Sequence, residues 1–165
     1  MGGGRQVPEK APMGRSEMMS RIGARDTAPE MAIRKTLHRA GYRFRLHRKD
    51  LPGRPDLVLP KHRTVIFVHG CFWHGHEGCR DFRIPKTNVA FWREKIVRNV
   101  ERDREAIVKL VSLGWRVLVV WECVTGTKRV EKTASEIASW LRDEEVSGEI
   151  PNLVLSAGMK DGGRA

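Results

Sequence analysis

The sequence predicts an α/β fold, a mixed β-sheet flanked by helices, on three observations. Apolar residues recur at helical spacing in three stretches, about 28–40, 88–112 and 129–143. Short apolar runs of strand type lie between them. Their order is helix, three strands, helix, strand, helix, which places helices against a sheet. A chain of 165 residues can close one such core as a single domain.

Each element has its own signal. Thr27-Ala28-Pro29-Glu30 has the form of a capping box, Ile33 and Leu37 continue one face, and Gly41 stops the helix. Tyr42, Phe44 and Leu46 alternate with Arg43, Arg45 and His47, which predicts a strand with one basic face. The turn Leu51-Pro52-Gly53-Arg54-Pro55 leads into a short strand, Asp56–Leu59, ended by Pro60. Thr64–His69 and Trp115–Trp121 are apolar runs of the buried kind. In the long helix, Trp92, Ile96, Val100, Ile107 and Leu110 form a stripe, and in the last helix Val130, Ala134, Ile137 and Leu141 do the same. Residues 1–19 and 147–165 carry Gly, Pro and charge without periodicity, apart from the apolar piece Leu153–Leu155. They are expected to be a flexible arm and a flexible tail around a domain at 20–146.

Composition narrows the function classes. Lys and Arg number 31 against 20 Asp and Glu, a formal charge of +11. Such an excess suits a polyanion, because neutralised phosphates release counterions. No run of ~18 apolar residues suggests a membrane span. The first residues lack the apolar stretch of a secretory signal, and three cysteines do not suggest a disulfide framework. A reducing, cytoplasmic setting is expected.

Cys71, His76 and Cys79 form C-x4-H-x2-C in one loop, and Cys123 follows the strand at 115–121. Three thiolates and one imidazole make a closed tetrahedral set for zinc, so the ion would be structural. His74 is as close as His76, but it directly follows two aromatics and is reserved for chemistry. Asp56 opens a strand after Arg54-Pro55, an arrangement that can place a carboxylate on Mg²⁺. Asp103 falls inside the apolar stripe of the long helix and needs a partner there, either Arg102 or Arg104 at the edge of the stripe or a histidine. A histidine that Asp103 orients could take a proton from water, and Asn99 lies one turn earlier. Glu30 is explained by its capping box without chemistry. Phe72 and Trp73, in the loop between Cys71 and His74, and Trp92 on the helix could wedge between base pairs; ordinary packing is the alternative, above all for Trp92 in the apolar stripe. Met18 and Met19 are a second candidate wedge.

These residues resemble the very-short-patch repair mismatch endonucleases. The matching pieces run in order: Ala24–Glu30, Leu51–Asp56, Val65–His74, Phe91–Ile96, Asn99–Asp103, and Gly114–Leu118 through Cys123. The resemblance implies a restriction-endonuclease-like fold and Mg²⁺-dependent nicking 5′ of the thymine in a T:G mismatch, the product of 5-methylcytosine deamination. It implies that Asp56 binds the metal beside His69, helped by the backbone carbonyl of Val68, where familiar members carry threonine. It implies His74 as general base set by Asp103, Glu30 in the metal-linked water network, and Phe72, Trp73 and Trp92 as the wedge. Cys71, His76, Cys79 and Cys123 would hold the zinc, in a loop one residue longer than expected. The chain would act as a bacterial monomer on mismatched duplex DNA, with mismatch-repair proteins as candidate partners. Two alternatives stand beside this reading. One is a sequence-specific restriction-type nuclease of the same fold; the other is a non-catalytic, zinc-stabilised DNA-binding module.

Overall fold

A computed structural model describes residues 26–46 and 48–152. Its elements are α1 (Ala28–Arg39), β1 (Leu57–Leu59), β2 (Thr64–His69), α2 (Val89–Ser112), β3 (Arg116–Trp121), α3 (Val130–Arg142) and β4 (Ser147–Ile150). They form a four-stranded mixed sheet in the order β1-β2-β3-β4. β1 pairs antiparallel with β2, with Leu57 opposite Ile66, while β2–β3 and β3–β4 are parallel.

The alternation of the strands sorts the core into two layers. Leu57, Leu59, Ile66, Val68, Leu118 and Val120 pack with Ile33 and Leu37 of α1 and with Ala134, Ile137, Trp140 and Leu141 of α3. The opposite face, Val58, Val65, Phe67, Val117, Val119 and Trp121, packs against Leu110 of α2. Both faces of the sheet are covered, which is why β2 and β3 read as continuous apolar runs. Burying each large aliphatic side chain contributes roughly 1.5–3 kcal/mol, and all six residues of β2 are buried.

Local sequence explains the ends. Thr27 caps α1, its hydroxyl accepting from Glu30 N at 3.4 Å. α2 ends before Gly114, which adopts φ +78°, and Arg63 donates to the Gly114 carbonyl at 2.7 Å. Arg116 closes the end of α3. Its guanidinium donates to the carbonyls of Trp140, Leu141, Asp143 and Glu145 at 2.7–3.2 Å and lies over the Trp140 ring. Among the described residues, no helix is long and apolar enough to cross a membrane.

Two expectations are corrected. The stretch predicted as a strand at Tyr42–His47 is not one: Arg45 makes an isolated bridge to Val58, and His47 lies outside the described residues. Tyr42 and Phe44 do pack on the core, but β1 has only three residues and offers little length to pair with. Residues 147–150, assigned from sequence to the tail, form β4 against β3. Polar anchors hold this edge strand: Trp121 Nε1 donates to Glu149 at 3.0 Å. A Cβ on Gly148 would lie 2.5 Å from Trp140 Nε1, so the close approach needs glycine. Met18, Met19 and Leu153–Leu155 lie outside the described residues.

Candidate active site and metal centre

Asp56 is tied to β2 twice. Its N–H donates to the Ile66 carbonyl at 3.1 Å, and its Oδ2 accepts the Val68 N–H at 2.7 Å. The turn before it is pressed on α2: a Cβ on Gly53, which holds φ +69°, would meet Ala106 Cβ at 2.7 Å. Burial, with the charge of Glu30 adding to it, pushes the Asp56 carboxyl up to about 6. Asp56, Val68, Glu30, His69, His74 and Asp103 all line one cleft of about 1560 Å³.

β2 ends at His69, and the chain then turns so that His74 N donates to Gly70 O at 3.1 Å. That turn lays the His74 ring on His69, with centroids 3.8 Å apart and planes 7° from parallel. His74 Nδ1 meets Asp103 Oδ2 at 2.5 Å, so the acid in the apolar stripe of α2 has the histidine partner expected for it. Arg102 is also near Asp103, at 3.9 Å. Burial alone would raise the Asp103 carboxyl, but the hydrogen bond and charge of His74 outweigh it and hold it below the usual range. His69 is 7% exposed, and burial followed by the nearby His74 pushes it down to about 3. It stays neutral.

Glu30 does more than cap. Its Oε1 accepts from the Thr27 hydroxyl at 3.0 Å, and its Oε2 accepts from Asp26 N at 3.0 Å and Arg34 at 2.8 Å. The sequence reading missed Arg34, although its position four residues after Glu30 is the spacing of a helical ion pair.

The aromatic residues form one cluster on the stripe of α2 that faces the loop. Phe72 packs edge-to-face on Trp73 at 5.1 Å and on Trp92 at 5.4 Å. Asn99 Nδ2 donates to the Trp73 carbonyl at 3.0 Å and so fixes the loop to the helix. Two more members were not predicted as such. Phe91 contacts Trp92 and is 56% exposed. Lys95 places Nζ 5.1 Å from the Trp73 ring and 5.6 Å from Trp92. The signal for Lys95 was its place three residues after Trp92.

Cys71, His76, Cys79 and Cys123 converge, with their ligand atoms all within 4.8 Å of one another. His76 Nδ1 lies 3.3 Å from Cys71 Sγ and 3.7 Å from Cys123 Sγ. A tetrahedral zinc with ordinary Zn–N and Zn–S bonds would set those edges at ~3.6 Å, so the donors fit the ion. The ring of His76 stacks on Trp121 at 4.0 Å, which fixes its plane, and its Nδ1 faces the thiols. Burial pushes the Cys123 thiol up to about 11 and the Cys71 thiol higher still. These four residues could hold a metal; His74 is occupied elsewhere.

The family model described as DNA mismatch endonuclease Vsr matches residues 9–92. The DNA mismatch endonuclease Vsr of Escherichia coli is 46% identical over 139 residues, covering 82% of this chain and 88% of the relative. The type II nicking enzyme V.XorIIP of Xanthomonas oryzae is 52% identical over 113 residues, 68% of this chain and 82% of the relative. The type II nicking enzyme V.NmeAIP of Neisseria meningitidis is 46% identical over 116 residues, 70% and 82% of the two chains.

Proposed function

The chain belongs to the DNA mismatch endonuclease Vsr family and is a DNA endonuclease, and from that premise we propose a Mg²⁺-dependent enzyme that nicks one strand 5′ of the thymine in a T:G mismatch. The nick would begin very-short-patch repair of deaminated 5-methylcytosine, and the sheet would be of the restriction-endonuclease-like kind. The observation that carries the reading is the His74–Asp103 pair at 2.5 Å, set in one cleft with Asp56. A non-catalytic DNA-binding module has no use for that pair.

The cleft fits a divalent cation. Asp56 is a mostly buried acid destabilised by Glu30, and one of its oxygens has no hydrogen-bond partner among the described residues. Asp56 and the Val68 carbonyl would hold Mg²⁺, which when bound supplies positive charge at the scissile phosphate. The protein supplies the rest. Asp103 accepts from Nδ1–H of His74, so in the neutral ring Nε2 is the nitrogen that can take a proton from the attacking water. The ionised Asp103 then stabilises the imidazolium that forms. His69, neutral and stacked on His74, keeps that ring from turning. Phe72, Trp73 and Trp92 would enter the duplex as a unit and part the base pairs at the mismatch. Zinc held by Cys71, His76, Cys79 and Cys123 would anchor both their loop and His74. The enzyme would act as a monomer.

The test is nicking by wild-type chain and Asp56→Ala on a T:G duplex with Mg²⁺. The variant should lose nicking while its DNA affinity stays within roughly threefold, because Asp56 is assigned to the metal and not to phosphate contacts. Nicking by Asp56→Ala at the wild-type rate would overturn the assignment.

A further inference from the structure

Arg34 stands on the buried side of α1 beside Ile33 and is 6% exposed, a position that an apolar residue would fill. Its guanidinium bonds Glu30 at 2.8 Å and also bonds Asp26. Its Nε is buried with no acceptor among the described residues. Asp26 holds φ 55°, a left-handed conformation that non-glycine residues rarely adopt, and its N–H bonds the same oxygen of Glu30. Stability does not account for this. Thr27 already caps the helix, a buried ion pair is often no better than apolar side chains of equal volume, and an orphaned N–H is costly. Local violations of folding rules collect at functional sites. Glu30, Arg34 and Asp56 line the same cleft, where the charge of Glu30 raises the Asp56 carboxyl and that of Arg34 lowers it.

The geometry points to Arg34 as a positioning residue of the nuclease site, one that fixes the Glu30 carboxylate in the cleft beside Asp56 and does not itself touch DNA. The inference rests on the proposed part of Glu30 in the metal-linked water network. Among the described residues, three hydrogen bonds hold that carboxylate, and only Arg34 contributes a full positive charge. Glu30 would then face Asp56 in one orientation, without rotating toward solvent or repelling its neighbour.

A double-mutant cycle tests it. R34M, E30Q and the double variant are assayed for single-turnover nicking with Mg²⁺ and for DNA affinity in EDTA. R34M should slow nicking on the order of 10²-fold, the scale of one lost transition-state interaction. The double variant should be no slower than E30Q within about threefold, because Arg34 acts through Glu30. DNA affinity in EDTA should stay within about threefold of wild type. Losses that multiply, an E30Q enzyme as fast as wild type, or a tenfold drop in metal-free affinity for R34M would each overturn the proposal. If R34M does not fold, R34K replaces it in the cycle, with a smaller loss expected and the same non-additivity required. The cycle uses whichever duplex the wild-type chain nicks. Absence of mismatch preference would therefore contradict the proposed function while leaving the Arg34 result readable.

Discussion

Asp56 is an acid whose surroundings raise its affinity for a proton. Burial and the charge of Glu30 hold its carboxyl up to about 6, so protons and the proposed divalent ion would compete for it a little below neutral pH. The sign follows: lowering pH through about 6 protonates Asp56, weakens apparent metal affinity and slows nicking. At limiting Mg²⁺, a tenfold increase in the ion should shift this acid limb down by up to about one pH unit. A rate profile whose acid limb ignores Mg²⁺ would show that another group sets it. The residues around Asp56 were unequally legible. Asp103 announced itself as a charge in an apolar stripe, and such a charge needs a partner. That the partner is His74 was implied only by the family resemblance, since the two lie 29 residues apart and the fold brings them together. Arg34 was hidden because Ile33 and Leu37 explain the face of α1 without it, and only the folded chain shows that its long side chain turns back to Glu30.

The loop between β2 and α2 is the element on which the proposed site depends, since it carries Phe72 and Trp73 of the proposed wedge, His74 and three of the four candidate zinc ligands. Its backbone makes short turns, such as His76 N to Cys71 O at 3.0 Å, and not a regular ladder. Without a cation, buried thiols stay protonated; zinc would deprotonate them and pin the loop to the end of β3 through Cys123. Cys123→Ser should reduce a stoichiometric zinc to a small fraction and lower stability by several kcal/mol, read by elemental analysis and thermal melting. Purified wild-type chain without zinc would contradict the assignment. At this scale most of the fold was readable. The helices and the strands β2 and β3 fall within about one or two residues of their expected ends, because strong periodicity and Gly or Pro stops coincide there. β4 was illegible because Ser147–Ile150 has no apolar alternation and is recruited by Trp121, Trp140 and the edge of β3. The alternation at Tyr42–Leu46 was misleading in the opposite way: its apolar members do pack on the core, but pairing is limited to the bridge at Arg45.

For the whole molecule, the charge of +11 would set how strongly DNA is held, and the proposed wedge would set which DNA is preferred. Binding should weaken steeply as salt rises, with a log–log slope that records the phosphates neutralised. Phe72, Trp73 and Trp92 are in mutual contact, so an inserted unit would have to push a base step apart, at a cost on the order of a few kcal/mol. A T:G wobble is already displaced and opens at lower cost, which turns deformability into selectivity. Trp73→Ala should shrink the gap between T:G and T:A binding, measured without Mg²⁺, by roughly 1–3 kcal/mol. An unchanged ratio for both Trp73→Ala and Phe72→Ala would make these rings ordinary packing on the zinc loop. The most direct test of the central claim is strand-resolved nicking of two duplexes with equal sequence, one carrying T:G and the other T:A, in Mg²⁺. The account predicts one nick, 5′ of the mismatched thymine, with the T:A duplex left intact. Equal cleavage of both duplexes, or cuts in both strands of the T:A duplex, would contradict it.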